Sequence, residues 1–185
     1  MKALALIALF ALAHAADEVR IGTVTVGGSG CKGAAESNYE NGLITVKLPE
    51  FKVTLDAGAE ATLVRSPCTL SLPITVPSGK RLTITYQRIE TQLDLPIGAA
   101  VNVQVETFFP GTPGAHLRPR LQATSAPLRT TKLIEGETHV QTRCGSSDSL
   151  RANLALVIDA KPFKGLAQVS ATQLTLTTSL VDCEK

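Results

Sequence analysis

Residues 67–76 read Pro67-Cys68-Thr69-Leu70-Ser71-Leu72-Pro73-Ile74-Thr75-Val76. Leu70, Leu72, Ile74 and Val76 recur at every second position, with Ser71, Pro73 and Thr75 between them. At this spacing successive side chains point to opposite faces of a sheet, so the stretch is a strand with one aliphatic and one polar side. Pro73 lies on the polar side and offers no amide donor, which predicts an edge position for this strand.

The same period runs through most of the chain. Ile44, Val46 and Leu48 alternate with Thr45 and Lys47, and Phe51, Val53 and Leu55 alternate with Lys52 and Thr54, giving two strands around Pro49. Val101, Val103 and Val105 repeat the pattern, as do Leu154, Leu156 and Ile158. Near the C-terminus Leu174, Leu176 and Leu180 face one way while Thr175, Thr177 and Ser179 face the other, and this strand is expected to close the fold. Turn residues separate the runs at Asn41-Gly42, Asp56-Ala57-Gly58, Pro77-Ser78-Gly79, Pro96-Ile97-Gly98, Pro110-Gly111-Thr112-Pro113-Gly114 and Lys164-Gly165. Many short strands with turns between them predict an all-β, antiparallel β-sandwich.

Two stripes change phase. Val19 and Ile21 are out of step with Val24 and Val26, which predicts a β-bulge near Gly22. Leu82, Ile84 and Tyr86 give way to Ile89, Leu93 and Leu95, as for one long strand that bends or crosses between two packed sheets. With aromatic residues at 4% and no Trp, the core must be built from Val, Leu, Ile and Ala. Tyr86, Phe108 and Phe109 are expected in core or interface packing.

Residues 1–15 have the features of an export signal: Lys2, the apolar stretch Ala3 to Ala13, and the small-x-small site Ala13-His14-Ala15. The apolar run is shorter than the roughly 20 residues a membrane-spanning helix needs. Removal of residues 1–15 from the 185-residue chain leaves 170, read as a single β-sandwich domain over 16–185, secreted or periplasmic and without a membrane anchor. The 18 basic and 16 acidic side chains become 17 and 16 once Lys2 is lost, so no global field recruits nucleic acid.

Export leads to oxidising conditions, and Cys31, Cys68, Cys144 and Cys183 therefore read as two structural disulfides. Four cysteines allow three pairings, and sequence logic does not choose among them. Nearest-neighbour pairing, Cys31 with Cys68 and Cys144 with Cys183, is the expectation; each bridge would stabilise by about 4 kcal/mol in the loop-closure model. Close pairs of the C-x-x-C type that a metal site needs are missing.

The residues around these cysteines carry a resemblance. Gly28-Ser29-Gly30-Cys31 opens the domain, and Pro67-Cys68-Thr69-Leu70-Ser71-Leu72 runs into Val76-Pro77-Ser78-Gly79. Tyr86, Arg88, Leu93-Asp94-Leu95 and Gly98 follow, then Phe108-Phe109-Pro110-Gly111, Cys144-Gly145 and Cys183. This order resembles the secreted bacterial and fungal family called domain of unknown function 4360 over nearly the whole mature chain. The resemblance implies export, paired cysteines and a β-rich domain, and it transfers no active site.

Candidates for chemistry are few. Gly28-x-Gly30-x-x-Gly33 matches a dinucleotide fingerprint, but a cysteine and the turn-rich Ser37 to Gly42 follow where that motif needs a helix. His116 sits in a proline-rich stretch and His139 in a polar alternation read as a solvent-facing strand, with no G-x-S-x-G elbow beside either. No catalytic residue, metal ligand or cofactor is therefore assigned. Between Pro110 and Glu137 lies a segment read as a long loop, carrying His116, Arg118, Arg120, Arg129 and Lys132 with no acid before Glu135. Arg118, Arg120, Arg129 and Lys132 are the candidate anion-binding residues, for an anionic extracellular ligand or glycan. The expected function is a non-enzymatic binding module. The alternatives are a self-assembling surface or matrix protein and a hydrolase with a dispersed carboxylate site, which needs two acids converging in a cleft.

Overall fold

The computed structural model describes residues 18–184 apart from 49, 57, 60, 61, 161 and 162, so the expected leader at 1–15 lies outside the described residues. The strands in chain order are β1 (Arg20–Ile21), β2 (Thr25–Gly27), β3 (Glu36–Glu40), β4 (Leu43–Lys47), β5 (Lys52–Asp56), β6 (Leu63–Thr75), β7 (Lys80–Leu95), β8 (Ala99–Phe108), β9 (Ala115–Leu117), β10 (Arg120–Gln122), β11 (Leu128–Gln141), β12 (Ser147–Ala160) and β13 (Leu166–Asp182). All pair antiparallel in two sheets. The first runs β1-β6-β12-β8-β10, with β2 also on β6 and β9 also on β8. The second runs β11-β7-β13-β4-β3, with β5 also on β13.

The alternating aliphatic positions face each other between the sheets. Leu70, Leu72 and Ile74 of β6, Val101, Val103 and Val105 of β8 and Leu154, Leu156 and Ile158 of β12 are buried from one side. Ile44, Val46, Val53, Leu55, Leu174 and Leu176 are buried from the other. Burial of this interdigitated aliphatic set is the main favourable term in the fold. Across it runs a buried polar link, in which Thr107 Oγ1 of β8 donates to Gln87 Oε1 of β7 at 2.9 Å, both residues being fully buried, while nearer the margin Ser66 Oγ of β6 donates to Lys52 O of β5 at 2.9 Å.

Both cysteine bridges pair as nearest neighbours, Cys31 with Cys68 at a Cα–Cα distance of 5.1 Å and Cys144 with Cys183 at 6.1 Å. The first fastens the N-terminal segment to β6. The second ties the β11–β12 turn to the end of β13, where Cys183 N–H also donates to Gly79 O at 2.9 Å.

The expected bulge near Gly22 is present. From Ile21 to Thr25 the N-terminal segment advances four residues while its partner on β6 advances three, from Ile74 to Ser71. The glycines of Gly28-x-Gly30 have a structural use. Gly28 has φ 105°, and a Cβ there would sit 2.6 Å from Pro67 O; one on Gly30 would sit 2.8 Å from the same oxygen. Only glycine lets this segment lie against β6 and bring Cys31 to Cys68.

Two expectations are corrected, the edge position of Pro73 and the loop at 110–137, and two are refined. Strand β6 is internal, between β1–β2 and β12, so Pro73 is not on an edge strand. Its carbonyl accepts from Gly22 N–H at 2.8 Å, so its missing amide points to the break between β1 and β2, where no ladder bond is lost. Strand β7 bends but does not cross between sheets: Ile84 and Tyr86 oppose the consecutive residues Thr178 and Thr177 of β13, a bulge at Thr85. Gln87 and Thr91 then take inward positions, which is why the apolar stripe broke. Of the three aromatics only Phe109 is core; Phe108 is half-buried on the outer face, and Tyr86 is half-buried with its hydroxyl against Glu135. Burial first, then Glu135, pushes the Tyr86 phenol above its ordinary value. Finally, 110–137 is not a long loop, because it contains β9, β10 and most of β11.

Candidate functional site

The outward-facing residues of the first sheet form a grid. Pairing places Pro67 of β6 beside Ala155 of β12 and Ala155 beside Gln104 of β8. The next row is Thr69, Asn153, Glu106 and His116 of β9. Ala155 is only 2% exposed although it faces outward, because its methyl lies at the bottom of a groove of about 410 Å³. Arg65, Thr69, Gln104, Glu106, Arg118 and Asn153 provide the polar lining. A small residue surrounded by longer ones on three antiparallel strands is what makes a depression in an otherwise flat face.

One wall is a connected network. Thr69 Oγ1 donates to Asn153 Oδ1 at 3.4 Å, and Asn153 Nδ2 donates to Glu106 Oε2 at 2.9 Å. His116 Nε2 lies 3.7 Å from Glu106 Oε1, and Arg118 Nη2 lies 3.4 Å from His116 Nδ1. A guanidinium only donates, so the contact uses the lone pair of Nδ1 and assigns the ring proton to Nε2, facing Glu106. The network holds the Glu106 carboxylate and the His116 ring in place.

The four cations expected to bind anions are not brought together. Arg120 is 2.9 Å from Asp159, and Arg129 is 2.9 Å from Asp94. Arg129 and Lys132 belong to β11 in the second sheet. Arg118 alone of the four lines the groove, and the structure joins to it Arg65 from the opposite wall. Sequence reasoning passed over Arg65, Gln104, Glu106 and Asn153. The available signal was polar alternation: Asn102, Gln104 and Glu106 between the valines of β8, and Asn153 in the stripe of β12.

A second, shallower depression of about 620 Å³ lies on the other sheet, beside the bulge in β13 between Ala171 and Gln173. Its acids include Glu36, which pairs with Lys47 at 3.3 Å. Among the described residues no group of three or more His, Cys, Asp or Glu is arranged to hold a metal ion. Another surface ion pair joins the β11–β12 turn to the start of β12. There Asp148 accepts from Arg143 at 2.8 Å and from Ser146 at 2.7 Å, and the Arg143 guanidinium followed by the Ser146 hydroxyl holds its carboxyl below the ordinary 3.8.

The model of a family described as Domain of unknown function (DUF4360) matches residues 17–181, in agreement with the resemblance carried by the cysteine surroundings. No curated protein matches the chain by sequence. Among solved structures, the carbohydrate-binding module TmCBM61 in complex with β-1,4-galactotriose is 11% identical with a TM-score of 0.32, over 89% of this chain and 88% of that one. An infectious bursal disease virus structure, Gx strain, is 12% identical with a TM-score of 0.33, over 90% of this chain and 32% of that one. The N-terminal cellulose-binding domain of a Cellulomonas fimi β-1,4-glucanase is 13% identical with a TM-score of 0.26, over 88% and 90%. Likenesses this distant carry no argument about ligand or activity.

Proposed function

This chain belongs to the DUF4360 family, and from that premise we propose that it is an exported, non-enzymatic binding module whose ligand, a glycan, lies in the groove on the outer face of the first sheet. The observation that carries the proposal is the convergence of amide, carboxylate, hydroxyl and guanidinium groups from β6, β8, β12 and the β9–β10 segment over the floor at Ala155. Planar groups that donate and accept in pairs suit a hydroxyl-rich ligand, and a rigid sheet holds them at fixed spacing. Two disulfides support an oxidising extracellular or periplasmic home.

Within the groove the carboxylate count favours binding over hydrolysis. Glycoside hydrolysis of the common kind uses two carboxyl groups about 5–9.5 Å apart. Glu106 is the one carboxylate lining the groove, and it is engaged by Asn153 and His116. Asp159 lies six residues along β12 from Asn153, about 20 Å at strand rise.

Affinity electrophoresis through gels containing neutral or acidic polysaccharides tests the proposal. Ala155→Leu fills the groove, and Gln104→Ala with Asn153→Ala removes hydrogen bonds without filling it. The expected result is retardation of the parent protein by at least one polysaccharide and loss of it in both variants, with melting temperatures showing both folded. Unaltered retardation of the folded variants would refute the groove as the site.

A further inference from the structure

Arg65 and Arg118 line opposite walls of the groove, and neither has an acidic partner among the described residues. Three other surface arginines do find one, Arg120 with Asp159, Arg129 with Asp94 and Arg143 with Asp148, while Arg20 and Arg151 share the unpaired state among the described residues. The contrast is sharpest within one face, since Arg120 is only two residues from Arg118 and is neutralised. Glu106, bonded by the neutral Asn153 amide and facing His116, keeps its charge, so the two guanidiniums exceed the groove's one carboxylate by a single positive charge. The outer face of β6, β12, β8 and the β9–β10 segment thus carries Arg65, Arg118, Arg120 and Arg151 against Glu106 and Asp159.

Resting on the groove as the binding site, we infer that its ligand is an acidic oligosaccharide, whose carboxylate or sulfate groups are held by Arg65 and Arg118 while its hydroxyls meet Gln104, Asn153 and Thr69. Guanidinium groups present a planar fork that matches such anions bidentately. Three strand intervals separate β6 from the β9–β10 segment, about 14 Å between the backbones that carry the two arginines. Groups facing each other across that width engage acids on different sugar units better than they share one small ion. A lone phosphate or a monosaccharide acid meets only half the site.

Calorimetric titration of the processed protein with tetragalacturonate, its methyl ester, a sulfated oligosaccharide of similar length, and inorganic phosphate tests the inference. The acid oligomer is expected to bind at least tenfold more tightly than the ester, with affinity falling as salt rises, and phosphate is expected to bind weakly or not at all. The uronate and sulfate arms identify which anion the groove takes. Arg65→Gln and Arg118→Gln are each expected to weaken acid binding about tenfold and to leave the ester unchanged, whereas Arg129→Gln on the other sheet changes neither. Equal binding of acid and ester, no binding of either acid oligomer, or indifference to both groove substitutions overturns the inference. Equal binding of acid and ester that Ala155→Leu still abolishes would leave the groove itself as the site, so the two failures are distinct.

Discussion

Thr107→Val removes a fully buried side-chain hydrogen bond that crosses the aliphatic core. Valine copies the shape of threonine and suits a strand, so the change deletes a hydroxyl and little else. Gln87 is 0% exposed, its Oε1 accepts from Thr107 at 2.9 Å, and its Nε2 has no partner. Without Thr107 Oγ1 the whole amide is buried unsatisfied, which costs about 1–3 kcal/mol. For a chain of this size that lowers the melting temperature by about 2–12 °C, at 2–4 °C per kcal/mol. Gln87→Met alone strands the threonine hydroxyl but also removes the orphaned Nε2, so its net effect is near zero. The double substitution leaves neither polar group and is expected to match or exceed the parent. Calorimetry of all four proteins, with urea midpoints at constant slope as a second measure, gives a coupling of about 1–3 kcal/mol. A Thr107→Val protein within about 0.5 kcal/mol of the parent, in the range of ordinary surface changes, would refute the reasoning that this amide depends on Thr107.

Replacing Cys144 and Cys183 together by Ala opens a 39-residue loop closure, worth about 4 kcal/mol and a fall of roughly 8–16 °C in melting temperature under oxidising conditions. Gly28→Ala meets both the positive φ and Pro67 O, and should cost about 1–3 kcal/mol, whereas Gly27→Ala, with open space around its Cβ, should change the melting temperature little. Because the Asp148 carboxyl is held below 3.8 in the fold, its contribution to stability is complete above about pH 4 and is lost as pH falls through the lower folded value. Acid titration of the melting temperature should therefore show a steeper drop below pH 4 in the parent than in Asp148→Asn. Parallel curves would contradict the pairing with Arg143.

The period-two stripes of β6, β8, β12 and β13, the bulge at Gly22 and the cysteine bridges were all legible, because each depends on local alternation or on a small set of possible pairs. The region 110–137 was not. β9 and β10 are three residues each, and Pro119 between them breaks the pattern. The β9–β10 segment bonds β8 on one side only, Pro119 through its carbonyl to Val103 N–H, so an edge position tolerates the proline. β11 hides for a related reason, since on that edge strand only Ile134 and Val140 are buried. Polar side chains at inward positions Gln87 and Thr91 left open whether the long strand β7 bends or crosses between sheets. The groove depends on strand order, which alternation does not encode. Its network joins Thr69 to Asn153 across 84 residues and Asn153 to Glu106 across 47. The dispersal of the candidate anion set was not legible because Asp159 and Asp94, which pair with Arg120 and Arg129, are distant in sequence.

The most direct measurement is the pattern of backbone amide shifts on titrating the isotopically labelled, processed protein with the acid oligosaccharide. The account predicts the largest changes at Thr69, Gln104, Glu106, Arg118, Asn153 and Ala155. Changes centred instead on Glu36, Lys47, Glu90 and Gln173, at the depression on the opposite sheet, would contradict it.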